Sequence, residues 1–342
     1  MYIQGIGSIS AQKLNARQGE LEMINGGTSV FHCVEPDYKE LIPPMQLRRM
    51  SKVVRIGIAA AKAALLDAGL EKIDMITTGT AYGCLADTEI FLSKLLQQDE
   101  QMLTPTAFIQ STHNTVSGQI ALLLGCHGHN FTYVHRGHSW ECALQEAFLF
   151  SRENATLRIL CGGIDEMTNH SHNIIQRFGT YKKEGESIEA HSDGTIAGEG
   201  AHLFVMSAER SYQSYARVQD ICLCNTNDSV SNQLQKFLGK QNLLLNDIAL
   251  VLSGDNGDMR YDAEMAALFG AVRADKLLRY KMFCGEYPTS GSFGMALAAN
   301  AIKHQQLPRG LNVASVAYHG GTILLHNHYK NQYHSFILLQ SI

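Results

Sequence analysis

Phe131-Thr132-Tyr133-Val134-His135-Arg136-Gly137-His138-Ser139-Trp140-Glu141-Cys142-Ala143-Leu144-Gln145-Glu146-Ala147 decides how this chain reads. Phe131 and Tyr133 alternate with Thr132 and Val134, the period of a strand. The run breaks at Gly137-His138-Ser139, and Cys142, Ala143, Ala147 and Phe148 then recur as on one face of a helix. Strand, sharp corner, helix is the geometry that lifts one side chain off a sheet and backs it with the positive end of a helix dipole. The lifted residue is His138 or its neighbour Ser139.

The surrounding chain is large enough for a substantial core, with 342 residues of which 45% are hydrophobic and 18% charged. A formal net charge of −4 argues against a nucleic-acid binder, which would carry a basic face. No 18-residue apolar run marks a membrane span, and the first residues lack the charged and apolar regions of a signal peptide. The eight cysteines are mostly single and set in apolar surroundings, which predicts reduced thiols in a cytoplasmic protein.

Upstream of the corner, residues 2–9 read as a strand in which Gly5 and Gly7 permit close backbone approach. Residues 20–50 have no clean period. Met50 to Leu70 is the strongest helix, opened by Ser51 and closed by Gly69, with Gly57 marking a tight contact. A strand at 75–80, a helix at 88–98 and an apolar helix at 117–124 follow. Downstream come a strand at 157–161 and a long surface loop at 170–198. Strands at 202–206, 216–224 and 248–253 alternate with helices at 232–238 and 262–269. A helix through Ile302 precedes two closing strands at Val313–Tyr318 and Thr322–His328. Near-continuous apolar strands alternating with helices predict an α/β protein.

The motifs in this order resemble the β-ketoacyl synthase family over nearly the whole chain. Gly5-Ile6-Gly7 is similar to its first strand, and Ala59–Leu70 to its "AA…AL.DAGL" helix. Thr112–Ala121 resembles "HN…G.IA"; Gly162-Gly163-Ile164-Asp165-Glu166 and Gly198-Glu199-Gly200-Ala201 resemble "GG.DE" and "GEGA". Ala317–Thr322 sits where the family has "FGFGGT". The resemblance implies a thiolase-like fold, two similar βαβ-rich halves (1–207, carrying the 170–198 loop, and 208–342) packed as one layered α/β/α/β/α sandwich.

The resemblance also marks departures. The nucleophilic cysteine's place holds His138, with Cys142 one turn on and facing the core. Gly254 stands for the first catalytic histidine, Tyr287 for the lysine, Ser292 for the second histidine and His319 for the gating phenylalanine. Condensation needs a thiolate to carry the acyl group and imidazoles to polarise the malonyl thioester. With the set missing, almost no catalysis should survive.

That combination is similar to the chain-length-factor (ketosynthase β) subunits, with the aryl polyene version most alike. It implies a catalytic synthase partner in a heterodimer, transient contact with an acyl carrier protein, and no cofactor. The strand before the corner, with Phe131 and Tyr133, would form the interface. Phe108, Ser111, Thr112 and Thr115 would close the acyl tunnel.

Other readings compete. Gly137-His138-Ser139-Trp140-Glu141 falls one glycine short of the G-x-S-x-G elbow. An independent acyl transferase or thioesterase using Ser139 or His138 is the alternative, against Ser139 as a helix cap. His127/His129, His170/His172 and His326/His328 share one side of a strand each, without the further ligands a metal site needs.

Overall fold

The computed structural model describes residues 1–24, 30–101, 105–225, 229–311, 313 and 316–342, with the backbone alone at Ala107. The chain opens with β1 (Tyr2–Ile9), a hairpin of β2 (Lys13–Asn15) and β3 (Glu20–Glu22), the short α1 (Pro44–Leu47), and α2 (Lys52–Ala68). Then come β4 (Met75–Gly79), α3 (Leu85–Gln97), α4 (Pro105–Gln110), α5 (Thr115–Leu124) and β5 (Asn130–Tyr133). After the corner follow α6 (Ser139–Glu153), β6 (Ile159–Asp165), α7 (Asn169–Gln176), β7 (Gly200–Ser207) and β8 (Ala216–Asn225). The rest is α8 (Val230–Lys240), β9 (Leu250–Ser253), α9 (Asp262–Phe269), β10 (Leu277–Arg279), α10 (Lys281–Cys284), α11 (Gly291–His304), β11 (Ile323–Tyr329) and β12 (Tyr333–Gln340).

Ten strands form one sheet in the order β10-β9-β11-β12-β8-β1-β7-β6-β4-β5. Outward from the β1–β8 seam, both arms run through two antiparallel pairings and then two parallel ones. Side-chain alternation sets the layers. Leu203 and Val205 face α2 and α5, whereas Phe204 and Met206 face the other way, toward α6 and α11. In the second arm Ile323 and Leu325 join that same central layer, and Leu324 and Phe336 turn to α8 and α9. The result is helices, sheet arm, helices, sheet arm, helices.

Glycine sets how closely α2 lies on β1. A Cβ on Gly7 would fall 1.8 Å from Ala60 O, and one on Gly5 would fall 2.3 Å from Ala64 O. Gly57 meets Val116 across the α2–α5 contact, and Gly69 ends α2 at φ 66°. Because the obstacle at Gly7 is helix backbone, Gly7→Ala should cost about 1–3 kcal/mol and visibly lower the thermal midpoint. An unchanged midpoint would mean that α2 can move off the sheet.

Several expectations are corrected. Residues 170–198 are not one surface loop: they hold α7, and Tyr181, Lys182, Thr195, Ile196 and Ala197 are buried. The closing strands are β11 and β12, a hairpin. Of the strand expected at Val313–Tyr318, residues 314 and 315 lie outside the described residues, and 316–318 are not in a strand. Cys142 does not face the core. The buried stripe of α6 is Trp140, Ala143, Leu144, Ala147 and Phe148, and Cys142 falls beside it in a groove with Tyr133 and Glu146. No helix among the described residues is long and apolar enough to cross a membrane.

Candidate functional site

The carboxyl ends of β4, β5, β6, β9 and β11 meet at the corner. Arg136 takes a φ of 48°, and the turn Arg136–His138 delivers the chain into α6. Gly137 is required there by close approach, since a Cβ would lie 2.5 Å from Tyr329 Cβ and 2.8 Å from Tyr333 Cβ.

His138 is buried, and its Nε2 hydrogen-bonds His334 O at 3.0 Å. Its ring meets Tyr333 edge-on at 5.2 Å. Burial lowers its pKa, against hydrogen bonds to the backbone of His334 and Cys224 that favour the cation. The imidazole therefore spans from the corner to β12 and β8 and is consumed in that contact. Ser139 does not cap α6 through its hydroxyl. Its Oγ donates to Arg136 O at 2.8 Å and accepts from His135 N at 2.8 Å, so it braces the corner. Neither group is arranged as a nucleophile with its base.

One turn into α6, Glu141 is fully buried. Its Oε1 accepts from Asn327 Nδ2 at 2.9 Å and from Ser335 Oγ at 3.0 Å, while Oε2 has no side-chain donor among the described residues. Burial, partly offset by those bonds, raises its pKa to about 7. Trp140 beside it is fully buried against Phe204 at 5.5 Å and belongs to the central core.

The places that the resemblance assigns to the lysine, the two histidines and the gating phenylalanine separate into two groups. Gly254 and Ser292 lie near the corner. A Cβ at Gly254 would come 2.9 Å from Asn327 Cα and 3.0 Å from His326 O, which leaves no space for a side chain. Ser292 Oγ donates to Thr289 O at 2.6 Å and packs on Gly163. Tyr287 is buried with its hydroxyl 3.0 Å from His202 Nε2. His319 is exposed and precedes β11, a strand about 20 Å long at ~3.3 Å per residue, whose far end meets the corner. The residues beside the corner from this region are Tyr329 and Tyr333, not His319.

Sequence reasoning missed a lysine. Lys281 Nζ, fully buried, donates to both oxygens of Glu286 at 3.0 Å and to His328 O at 2.5 Å. Glu286 also accepts from Asn256 Nδ2 at 2.6 Å. Burial pushes the Glu286 carboxyl up, and Lys281 and Asn256 pull it back. The signal was present: Lys281 and Glu286 have the same separation as Tyr287 and Ser292, the pair read in the places of the family's lysine and second histidine. The buried acids are structural. Asp165 accepts from Thr80, Thr289, Ala81 N and Tyr82 N, and Glu166 from Ala86 N. For Glu199, burial works upward, but His32, Lys52 and Met167 N hold the carboxyl near about 2.

At the sheet's edge, β5 pairs only with β4 among the described residues. Phe131 on it is 49% exposed, stacked 5.7 Å from His129 and tilted against Tyr133 at 5.3 Å. Beside it, Thr112, Thr115, Gly118 and Leu122 line a groove of about 390 Å³ that reaches Asn130. Three of the four residues expected at a tunnel end are tied down. Ser111 Oγ donates to Phe108 O at 2.7 Å, and Thr112 and Thr115 hydroxyls donate to Ile109 O at 3.1 and 2.9 Å. They satisfy the last carbonyls of α4. Phe108 alone projects, 58% exposed.

Among the described residues no three His, Cys, Asp or Glu side chains come together as metal ligands. His326, His328 and His334 are buried and stacked, with ring centroids 5.5–5.9 Å apart.

Solved structures with this fold include one described as the ishigamide ketosynthase/chain length factor, 18% identical with a TM-score of 0.78, covering 100% of this chain and 98% of that one. A β-ketoacyl synthase from Burkholderia phymatum STM815 matches at 15% identity and TM-score 0.76, covering 100% and 99%. A type II PKS acyl-carrier protein in complex with its ketosynthase bound to the hexaketide matches at 13% and 0.75, covering 100% and 99%. No curated protein sequence matches. The family model for the β-ketoacyl synthase N-terminal domain matches residues 18–211, over half of the sequence. With its fold, its corner and its motifs in that order, the chain belongs to the β-ketoacyl synthase family.

Proposed function

We propose that this chain is a catalytically silent chain-length factor: it joins an active β-ketoacyl synthase as a heterodimer and limits how far a carrier-bound polyketide or polyene chain grows. The carrying observation is the corner. On this reading His138, its imidazole bound to backbone, takes the place of the acyl-bearing thiol, and Gly254, crowded by Asn327 and His326, takes that of a catalytic histidine. Acyl transfer through a buried, bonded imidazole would also be a poor store, because imidazole leaves readily.

The interface would run along β5, whose outer edge has no partner strand among the described residues and whose Phe131 is half exposed. Phe108 would form the tunnel floor, acting by bulk. The equal strand order of the two sheet arms supports the division into halves at 207/208. The similar structures described as a ketosynthase/chain length factor and as a ketosynthase with its carrier protein support these partners. A cytoplasmic location and an aryl polyene product belong to the same proposal.

Co-expression with a synthase encoded nearby, followed by size exclusion and mass measurement, tests it. A one-to-one complex is expected, and the purified chain alone should not extend an acyl group with malonyl-carrier protein. A stable homodimer that ignores the synthase, or condensation by the chain alone, overturns the reading. His138→Cys alone should restore no condensation.

A further inference from the structure

α3 is a helix without a core. None of its thirteen residues is buried, although it carries Leu85, Ile90, Phe91, Leu92, Leu95 and Leu96. A helix gains most of its stability by burying an apolar face, so the ties it does make matter. Glu89 accepts from Thr168 Oγ1 and Ser171 Oγ, which anchors α3 to α7. Thr88 Oγ1 donates to Ser111 O at 3.3 Å, the residue that closes α4. Phe91 meets Phe108 with ring centroids 5.6 Å apart and planes at 58°.

We infer that Phe91 is a positioning residue for chain length: it backs Phe108 and fixes how far that ring projects into the partner's acyl tunnel. The inference rests on the chain-length reading above. The hydroxyls of Ser111, Thr112 and Thr115 hold the α4 backbone, but they leave the Phe108 side chain free to change rotamer. The Phe91 ring is the aromatic contact that opposes its falling back against α3. A tilted aromatic pair at this separation carries energy beyond its burial, enough to bias a rotamer. Removing Phe91 lets Phe108 recline into the space left, which deepens the tunnel without altering a residue that touches the acyl chain.

The experiment uses the co-expressed complex with its carrier protein and reads product lengths by mass spectrometry for wild type, Phe91→Ala, Phe91→Leu, Phe108→Ala and the Phe91→Ala/Phe108→Ala pair. Phe91→Ala should raise the ratio of the next-longer to the native product roughly tenfold, with Phe91→Leu intermediate and complex yield unchanged. The double variant should match Phe108→Ala, because Phe91 acts only through Phe108. An unchanged product ratio in Phe91→Ala, or a double variant whose shift exceeds that of Phe108→Ala, overturns the inference while the chain-length reading stands. If Phe108→Ala also leaves length unchanged, or wild type forms no complex, the chain-length reading fails and takes the inference with it. Should Phe91→Ala lower complex yield, Phe91→Leu decides: a longer product from intact complex supports the inference, and native length overturns it.

Discussion

Lys281→Met is expected to destabilise the fold by about 3–5 kcal/mol, because it leaves the Glu286 carboxyl buried without its cation. All three ammonium donors have acceptors in the native structure, two on Glu286 and one on His328 O. Removing them leaves Glu286 Oε1 without a donor, Oε2 with Asn256 alone, and His328 O without the ammonium, at the junction of α10, β11 and the loop after β9. Replacing both partners, Lys281→Met with Glu286→Leu, removes the unpaired charge and should recover most of the loss. Chemical denaturation of the two variants checks this. A single variant within about 1 kcal/mol of wild type would show that Glu286 is held protonated and satisfied by Asn256 alone.

The second large effect is a pH dependence written into β11 and β12. His326, His328 and His334 are buried, and burial lowers all three pKa values, His334 to about 4. Lys281 on α10, with Glu286 beside it, faces the stack; so do His138 from the corner, Tyr261 and Phe269 from the α9 segment, and Phe336 on β12. The unfolded chain protonates these rings below about pH 6.5, whereas the folded chain keeps them neutral. Folded pKa values below unfolded ones mean stability present above pH 6.5 and lost as pH falls, for His334 down to its folded pKa of about 4 at about 1.4 kcal/mol per pH unit. Glu141 and Glu166 work the other way: raised to about 7, they bind protons on folding and add stability as pH falls from 7 toward their unfolded range. The clean measurement is therefore a difference. His328→Phe should flatten the loss of stability between pH 6.5 and 4 relative to wild type, even if it lowers stability at pH 7.5. Parallel curves would show that the ring is protonated in the folded protein.

The parts of the fold legible in the sequence were those where a residue type has one physical use. Gly5, Gly7, Gly57 and Gly69 marked close approach or a left-handed turn, and each does so. The corner at Gly137 was legible because an alternating run met a helical one. What stayed illegible depended on register. Val313–Tyr318 and Thr322–His328 carry enough apolar residues to read as strands, which sets the closing hairpin too early in the sequence; Tyr329 and Tyr333, not His319, meet the corner. Lys281 is hidden because the sequence reading sets the lysine's place at Tyr287, six residues downstream. The roles of Ser111, Thr112 and Thr115 could not be read at all, since a hydroxyl that lines a tunnel and one that satisfies a helix carbonyl look alike in sequence.

The seam between the sheet arms has a kinetic consequence. β1 is made first and lies in the middle of the sheet, hydrogen-bonded to β7 on one side and β8 on the other. Neither neighbour exists until Gly200 and Ala216 have been synthesised, about 10–40 s later at roughly 5–20 residues per second. Through that interval an apolar strand waits with both edges open, so the nascent chain is a natural client for chaperones, and the order of synthesis delays folding of either half until most of the polypeptide has emerged.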